Sequence, residues 1–504
     1  MKKEKLKTII LILLIANSLF LTNQIWFSKE LWSHDYNFFV KWRDWKWVKV
    51  LSKININDES NPITMEHFFY PRKVVVNNGN YRNVYSHGDN RFFELNNEIS
   101  SIFNTLLKGE KVKSEQSTDE EWLNTLKGKS FYIDYGVKIN AKILARMAGY
   151  KDSSVLSQID SVRDFIVAPG DMITNDIVLY IKDSERNSVI KFFMNYDKSK
   201  LTGIIEEFVS NSKPNYTFSF EQKFDKVNPD KKVEQKAILD PEILIPVKIE
   251  ASQDIRIKSI NTLNMNKIDK ILKSFQYNPN TTRKYTEADN TIVYVENYSM
   301  LKIHPSGLIE YTETDEGKGM LLLPESADDT QAVPTVLPSE GGSNTLSLYE
   351  SFSRVIAHIN KVWDNNEFLF ISSDIVENAN KPGVYRFTFD YYYNGMPVII
   401  QCDNENGQQD VLRHAIEVEI INGRLKSYRH YLRNFEEVSR AEKEIMPVIL
   451  ALDNIYKSFK PDQSEVKIDD VFLGFWENDT DVILQPRWGI RIGDRVITDP
   501  EDIK

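Results

Sequence analysis

Residues 415–432, AIEVEIINGRLKSYRHYL, decide the fold class. Ile416, Val418 and Ile420 alternate with Glu417 and Glu419, which turns one row of side chains into a core and the next toward water. Asn422-Gly423 then supplies the dipeptide that tolerates both positive-φ positions of a type I′ turn, so the run folds back as an antiparallel hairpin. The same pattern surrounds Asn394-Gly395 in 385–398, YRFTFDYYYNGMPV. A helix precedes these strands. Ser347 and Glu350 have capping-box spacing, and Leu348, Phe352, Val355, Ile356, Ile359 and Trp363 form one apolar stripe.

The order recurs downstream. Ile445, Val448, Ile449, Leu452, Ile455, Tyr456 and Phe459 form a second stripe, with Pro447 in its first turn or at a kink. Strands at 471–475 and 488–492 follow, and Gly493-Asp494 turns the chain into 495–498. The expectation for 344–504 is therefore a domain of repeated helix-on-antiparallel-sheet units. Upstream of it, 324–343 carries prolines, paired glycines and no apolar period, as a linker or long loop does.

The segment 213–323 reads as a middle α+β domain, with a helix at 267–275 and strands at 291–295, 301–303 and 308–311. The segment 29–212 reads as a first α+β domain. It opens on a hairpin over 74–85, continues through helices at 96–107, 119–126, 141–148 and 201–209, and has strands at 131–137, 165–167, 176–181 and 189–195.

Before all of this stands TIILILLIANSLFLTNQIWF, residues 8–27, behind Lys2, Lys3, Lys5 and Lys7. At about 1.5 Å per residue the run spans roughly 30 Å, one bilayer core. The lysines hold the N-terminus inside, leaving a cytoplasmic stub (1–8), a transmembrane helix (9–28) and an extracytoplasmic remainder. Ala16-Asn17-Ser18 also offers a signal-peptidase spacing, but apolar residues resume at Leu19. Five of the nine tryptophans follow within a short stretch, and Trp26 and Trp32 are placed to sit in the headgroup layer. Asn17 and Gln24 share one stripe of the span with Leu13 and Leu21, a face on which amides seek a partner helix.

The fold class expected is thus α+β: a single N-terminal transmembrane helix, then about three extracytoplasmic mixed domains. A net charge of -10 opposes a general nucleic-acid binder, and the lone Cys402 excludes an internal disulfide framework. With 41% hydrophobic residues, the 504-residue chain can bury ordinary cores.

Material for catalysis is sparse. Seven histidines (His34, His67, His87, His304, His358, His414 and His430) show no i, i+4 pair of the zinc-protease kind, and no nucleophile elbow, P-loop or dinucleotide fingerprint occurs. His358 reads as a helix-surface or hydrogen-bonded histidine. His414 and His430 bracket the hairpin and are expected to face each other across it. Glu313, Asp315 and Glu316 read as a solvated acidic patch. No catalytic, cofactor or metal residue is assigned.

The lysine-led span KLKTIILILLIANSLFLTNQIW, the two Asn-Gly hairpins and the terminal LQPRWGIRIGDRVI together resemble the YycH family of low-GC Gram-positive bacteria. That resemblance implies a membrane-anchored accessory protein which, with a YycI-like partner, contacts a WalK/YycG-type sensor histidine kinase controlling the cell wall. It implies contact through transmembrane helices. Two other classes stay open from the residues: an extracytoplasmic wall-polymer binder or hydrolase using paired carboxylates, and a protease-inhibiting propeptide-like module.

Overall fold

The computed structural model describes residues 70–498 apart from short internal stretches, the longest being 222–235 and 324–345. The expected stub, the transmembrane span and the 324–343 linker lie outside the described residues. Among those described, no helix is long and apolar enough to cross a membrane.

Seven antiparallel strands build the first sheet. They are β1 (Lys73–Asn78), β2 (Tyr81–Tyr85), β3 (Lys113–Ser117), β4 (Lys129–Asn140), β5 (Ser161–Pro169), β6 (Ile177–Asp183) and β7 (Ser188–Met194), in the spatial order β2-β1-β4-β5-β6-β7-β3. Val74 and Val76 point into one core with Phe131, Ile133, Phe165 and Val167, covered by helices α1 (Phe92–Lys108) and α4 (Lys198–Val209). Val75 points the other way, with Tyr132, Ile166 and Tyr180, against Trp122 and Leu126 of α2 (Asp119–Lys127). The unbroken Val74-Val75-Val76 run is explained by this burial on both faces. Helix α3 (Ala141–Met147) follows β4 directly.

A larger sheet of thirteen strands holds most of the remaining described strands, eleven on one path with Leu369–Glu377 and Val411–Arg413 branching from it, and the others form smaller sheets of two or three. Its order runs from Arg283–Thr286 through Ile292–Val295, Ser299–Ile303 and Leu308–Glu313, then to Arg424–Tyr431, Ile416–Ile421, Val384–Tyr393 and Met396–Cys402, and ends with Asp470–Glu477, Pro486–Ile492 and Arg495–Thr498. Helices α5 (Met265–Ser274) and α6 (Leu348–Val362) supply apolar side chains to its core. The expected capping box is present: Ser347 Oγ accepts the Glu350 amide at 3.3 Å, and Glu350 Oε2 accepts the Ser347 amide at 3.1 Å. Asn394, Gly395, Asn422 and Gly423 all have positive φ, as their turns require.

Three expectations change. The 324–343 stretch does not part a middle domain from a C-terminal one, because Leu308–Glu313 pairs with Arg424–Tyr431 in the same sheet. Tyr311 and Tyr428 from those two strands pack on Phe275, with ring centroids 5.4 and 5.3 Å away. Nor is the second helix-and-sheet unit a separate antiparallel copy. Residues 398–400 pair in parallel with 475–477, so its strands extend the first unit's sheet. Finally, Pro447 lies ahead of helix α7 (Val448–Phe459), where its carbonyl accepts the Leu450 and Ala451 amides; it starts the helix and leaves it unkinked.

His358 is buried in this aromatic core rather than on the helix surface, 4.8 Å from the Phe275 ring and 5.3 Å from Tyr428. Its Nε2 has no hydrogen-bond partner among the described residues. The two ring nitrogens of His430 meet the hydroxyls of Tyr428 at 2.7 Å and Tyr391 at 3.0 Å. Burial, aided by nearby cations, lowers both imidazoles to about 3. The folded state therefore favours neutral rings: their contribution is complete above an ordinary histidine pKa of about 6.5 and is lost as pH falls toward the lowered value, roughly 2 kcal/mol per ring at pH 5. Replacing His358 by leucine should remove its share. In urea titrations at pH 7.5 and pH 5, the variant should lose about 2 kcal/mol less than the native chain between the two conditions. Equal losses would contradict its burial as a neutral ring.

Candidate functional site

Leu13, Asn17, Leu21, Gln24, Trp26 and Trp32, the residues that the sequence directs to the membrane, lie outside the described residues. His414 and His430 do not face each other. His414 Nδ1 lies 2.9 Å from Asp390 Oδ1, whereas His430 is enclosed by tyrosines. Glu417 and Glu419 occupy the wet face that alternation implies, pairing with Arg386 and Lys426 at 2.9 and 2.8 Å. In the acidic patch, Glu313 accepts the Gly319 amide at 3.0 Å and Asp315 pairs with Lys318. Among the described residues no group of three or more His, Cys, Asp or Glu is placed to hold a metal ion.

The sequence reading passes over a charged cleft of about 230 Å³, where β1, β4, β5 and β6 meet segments 240–244 and 467–470. Its floor follows from register. Lys73 is opposite Asp134, Asp134 opposite Asp164, and Asp164 opposite Lys182, so four adjacent strands present one row of charges. Two residues further along each strand stand Val75, Tyr132, Ile166 and Tyr180 of the apolar face. The charged row is thus the edge at which that core ends.

Two carboxylates side by side in such a row repel. Arg72, buried just before β1, offsets this by donating to Asp134 Oδ2 at 2.9 Å and to Asp470 Oδ2 at 2.7 Å. Asp134 Oδ1 also accepts the Gly136 amide at 2.6 Å. Gly136 has φ +71, and a β-carbon there would sit 3.0 Å from Arg72 Cδ and Nε, so the turn that delivers this amide requires glycine. Burial pushes Asp134 and Asp470 upward, but Arg72 together with Lys73, and for Asp134 also Arg163 and the Gly136 amide, more than offsets it and both remain below the usual carboxylate range.

Asp164 differs. Burial holds it well above that range, and it accepts the Tyr132 hydroxyl at 3.1 Å. Pairing shifts between Val162 and Asp164, and this bulge brings Arg163 into the cleft wall, with Nε 3.8 Å from Asp164 Oδ2. On the opposite wall Lys182 meets Glu242 at 2.5 Å, and Lys467 meets Asp240 at 2.9 Å. Cations and carboxylates line the cleft in equal number. It is built to hold polar or ionic groups. One signal was present in the sequence: Lys73, Asp134, Asp164 and Lys182 each end or interrupt an apolar strand run. Their alignment depends on pairing between distant strands.

No family model matches the chain, and no curated protein matches it. In structure it is similar to YycH from Bacillus subtilis, at TM-score 0.55 and 14% identity, over 88% of this chain and 99% of that one. The chain therefore has a YycH-like fold, as its sequence texture implies. An uncharacterized protein from Eubacterium rectale aligns at TM-score 0.27 and 12% identity, over 49% of this chain and 82% of that one, a score on which nothing is built.

Arg72 is the testable centre of the cleft. Arg72→Met leaves two buried carboxylates without their cation and should cost about 3–5 kcal/mol in urea denaturation at neutral pH. Because Asp134 and Asp470 are held low, Arg72's contribution is present above an ordinary carboxylate pKa of about 4 and fades as pH falls below it. The deficit of the variant should shrink toward pH 3; a deficit under about 1 kcal/mol at neutral pH, or one that grows on acidification, would contradict this role.

Proposed function

We propose that the chain is a membrane-anchored accessory regulator which, together with a YycI-like protein, modulates a cell-wall sensor histidine kinase of the WalK/YycG type. The YycH-like fold over 88% of the chain carries this reading. The apolar run 8–27 behind four lysines supports an N-terminal anchor with the bulk of the chain extracytoplasmic, and the stripe of Leu13, Asn17, Leu21 and Gln24 supports contact within the bilayer.

Regulation of this kind breaks no bond. If the accessory chain binds one kinase conformation better than another, the ratio of the two shifts by the difference in binding free energy, and about 1.4 kcal/mol is tenfold. Interhelical amide hydrogen bonds contribute about 0.6 kcal/mol each, so two of them supply a sizeable part of such a bias. A wall-polymer-binding role is the second reading, favoured by the polar, half-open character of the cleft.

Crosslinking of the full-length chain in intact membranes, followed by identification of the captured protein, tests the first reading. Capture of a sensor kinase is expected, falling by roughly threefold for each interhelical hydrogen bond removed in Asn17→Leu and Gln24→Leu. Failure to capture a kinase, or full regulatory activity from a freely diffusing form that lacks the apolar run, would overturn it.

A further inference from the structure

We propose that the charged cleft binds a small carboxylate-bearing molecule of amino-acid or dipeptide size, held by Lys73 and Arg163. The inference rests on the cleft alone and stands apart from the kinase reading.

The ion pairs leave a remainder. Arg72 is matched to Asp134 and Asp470, Lys182 to Glu242, and Lys467 to Asp240. Lys73 and Arg163 also line the cleft. Among the described residues, the Lys73 side chain forms no hydrogen bond or ion pair. The Arg163 Nε is buried without a hydrogen-bond partner, and the nearest carboxylate oxygen lies beyond hydrogen-bond distance at 3.8 Å. Burial lowers the Lys73 pKa, with Arg72 and Arg163 adding repulsion, so this ammonium is held where the protein itself disfavours its charge. An ammonium kept in a cavity at such a cost, beside a guanidinium whose Nε is buried without a hydrogen-bond partner, forms a preorganised anion site.

Three features narrow the ligand. One ammonium and one guanidinium match the two oxygens of a carboxylate. Asp134 and Asp470, both held below the usual carboxylate range, share the cleft and repel an anion of higher charge such as phosphate. A volume of about 230 Å³ lies below the usual range for drug-sized ligands, roughly 300–1,000 Å³, which suits something as small as a dipeptide. Asp240 and Asp469, which have Lys467 as their ion-pair partner, border the same cavity and offer oxygens to a ligand ammonium or amide.

The test is calorimetric titration of the full-length chain in detergent micelles with glycylglycine, acetate and inorganic phosphate as probes. Saturable one-site binding of glycylglycine is expected, weaker for acetate and weakest for phosphate. Lys73→Gln and Arg163→Gln should each weaken glycylglycine at least tenfold, while Arg386→Gln on the distant wet face leaves it unchanged. Because Lys73→Gln removes an unmatched cation, its melting temperature should be no lower than that of the native chain; a structural lysine would show the opposite. Absence of saturable binding by both carboxylate probes, preference for phosphate, affinity unchanged in both cleft variants, or a lower melting temperature for Lys73→Gln would each overturn the proposal.

Discussion

A single guanidinium shared by two buried carboxylates ties the described chain together. Arg72 and Asp470 are 398 positions apart, yet their bond joins the residue just before the first strand of one sheet to the first residue of a strand of the other. Without that cation, Asp134 and Asp470 would stand in a poorly solvated junction without their hydrogen-bonded partner and the largest opposite charge that offsets their desolvation. Buried ion pairs of this kind add little net stability against a well-packed apolar alternative, but losing one partner is costly. Their value lies in specifying one arrangement, and here the arrangement is the seating of the C-terminal strands on the N-terminal sheet.

The cleft follows from that choice. An apolar junction would close completely, whereas a charged one keeps its outer ionic groups near water. Cationic and carboxylate side chains line it in equal number, and the β-bulge at Arg163 places a second cation beside Lys73. A molecule bound there would touch residues of both sheets, so its binding free energy would favour whichever seating of the sheets presents the site. Coupling of that form needs no bond to be made or broken.

Elements with a local cause were legible. The capping box at Ser347 and the Asn-Gly turns at 394–395 and 422–423 depend on a handful of adjacent residues, and each occurs where the sequence places it. The strands Lys113–Ser117 and Arg283–Thr286 were not legible. Both lie at sheet edges and face water with most of their residues, so neither carries an apolar alternation to read. The apparent division at 324–343 marks a change of composition, but a gap in the apolar pattern says nothing about whether the strands on either side pair.

By itself the sequence determined the alternation of helices and strands, the faces they bury, the apolar N-terminal run and the texture shared with YycH, because each is written in periodicity or in short-range turn and cap chemistry. Tertiary structure alone decided that two expected domains share one sheet, that His358 is buried without a partner for Nε2, and that Lys73, Asp134, Asp164 and Lys182 form one row. Strand register and long-range pairing are set by how whole faces pack, and no local spacing encodes them.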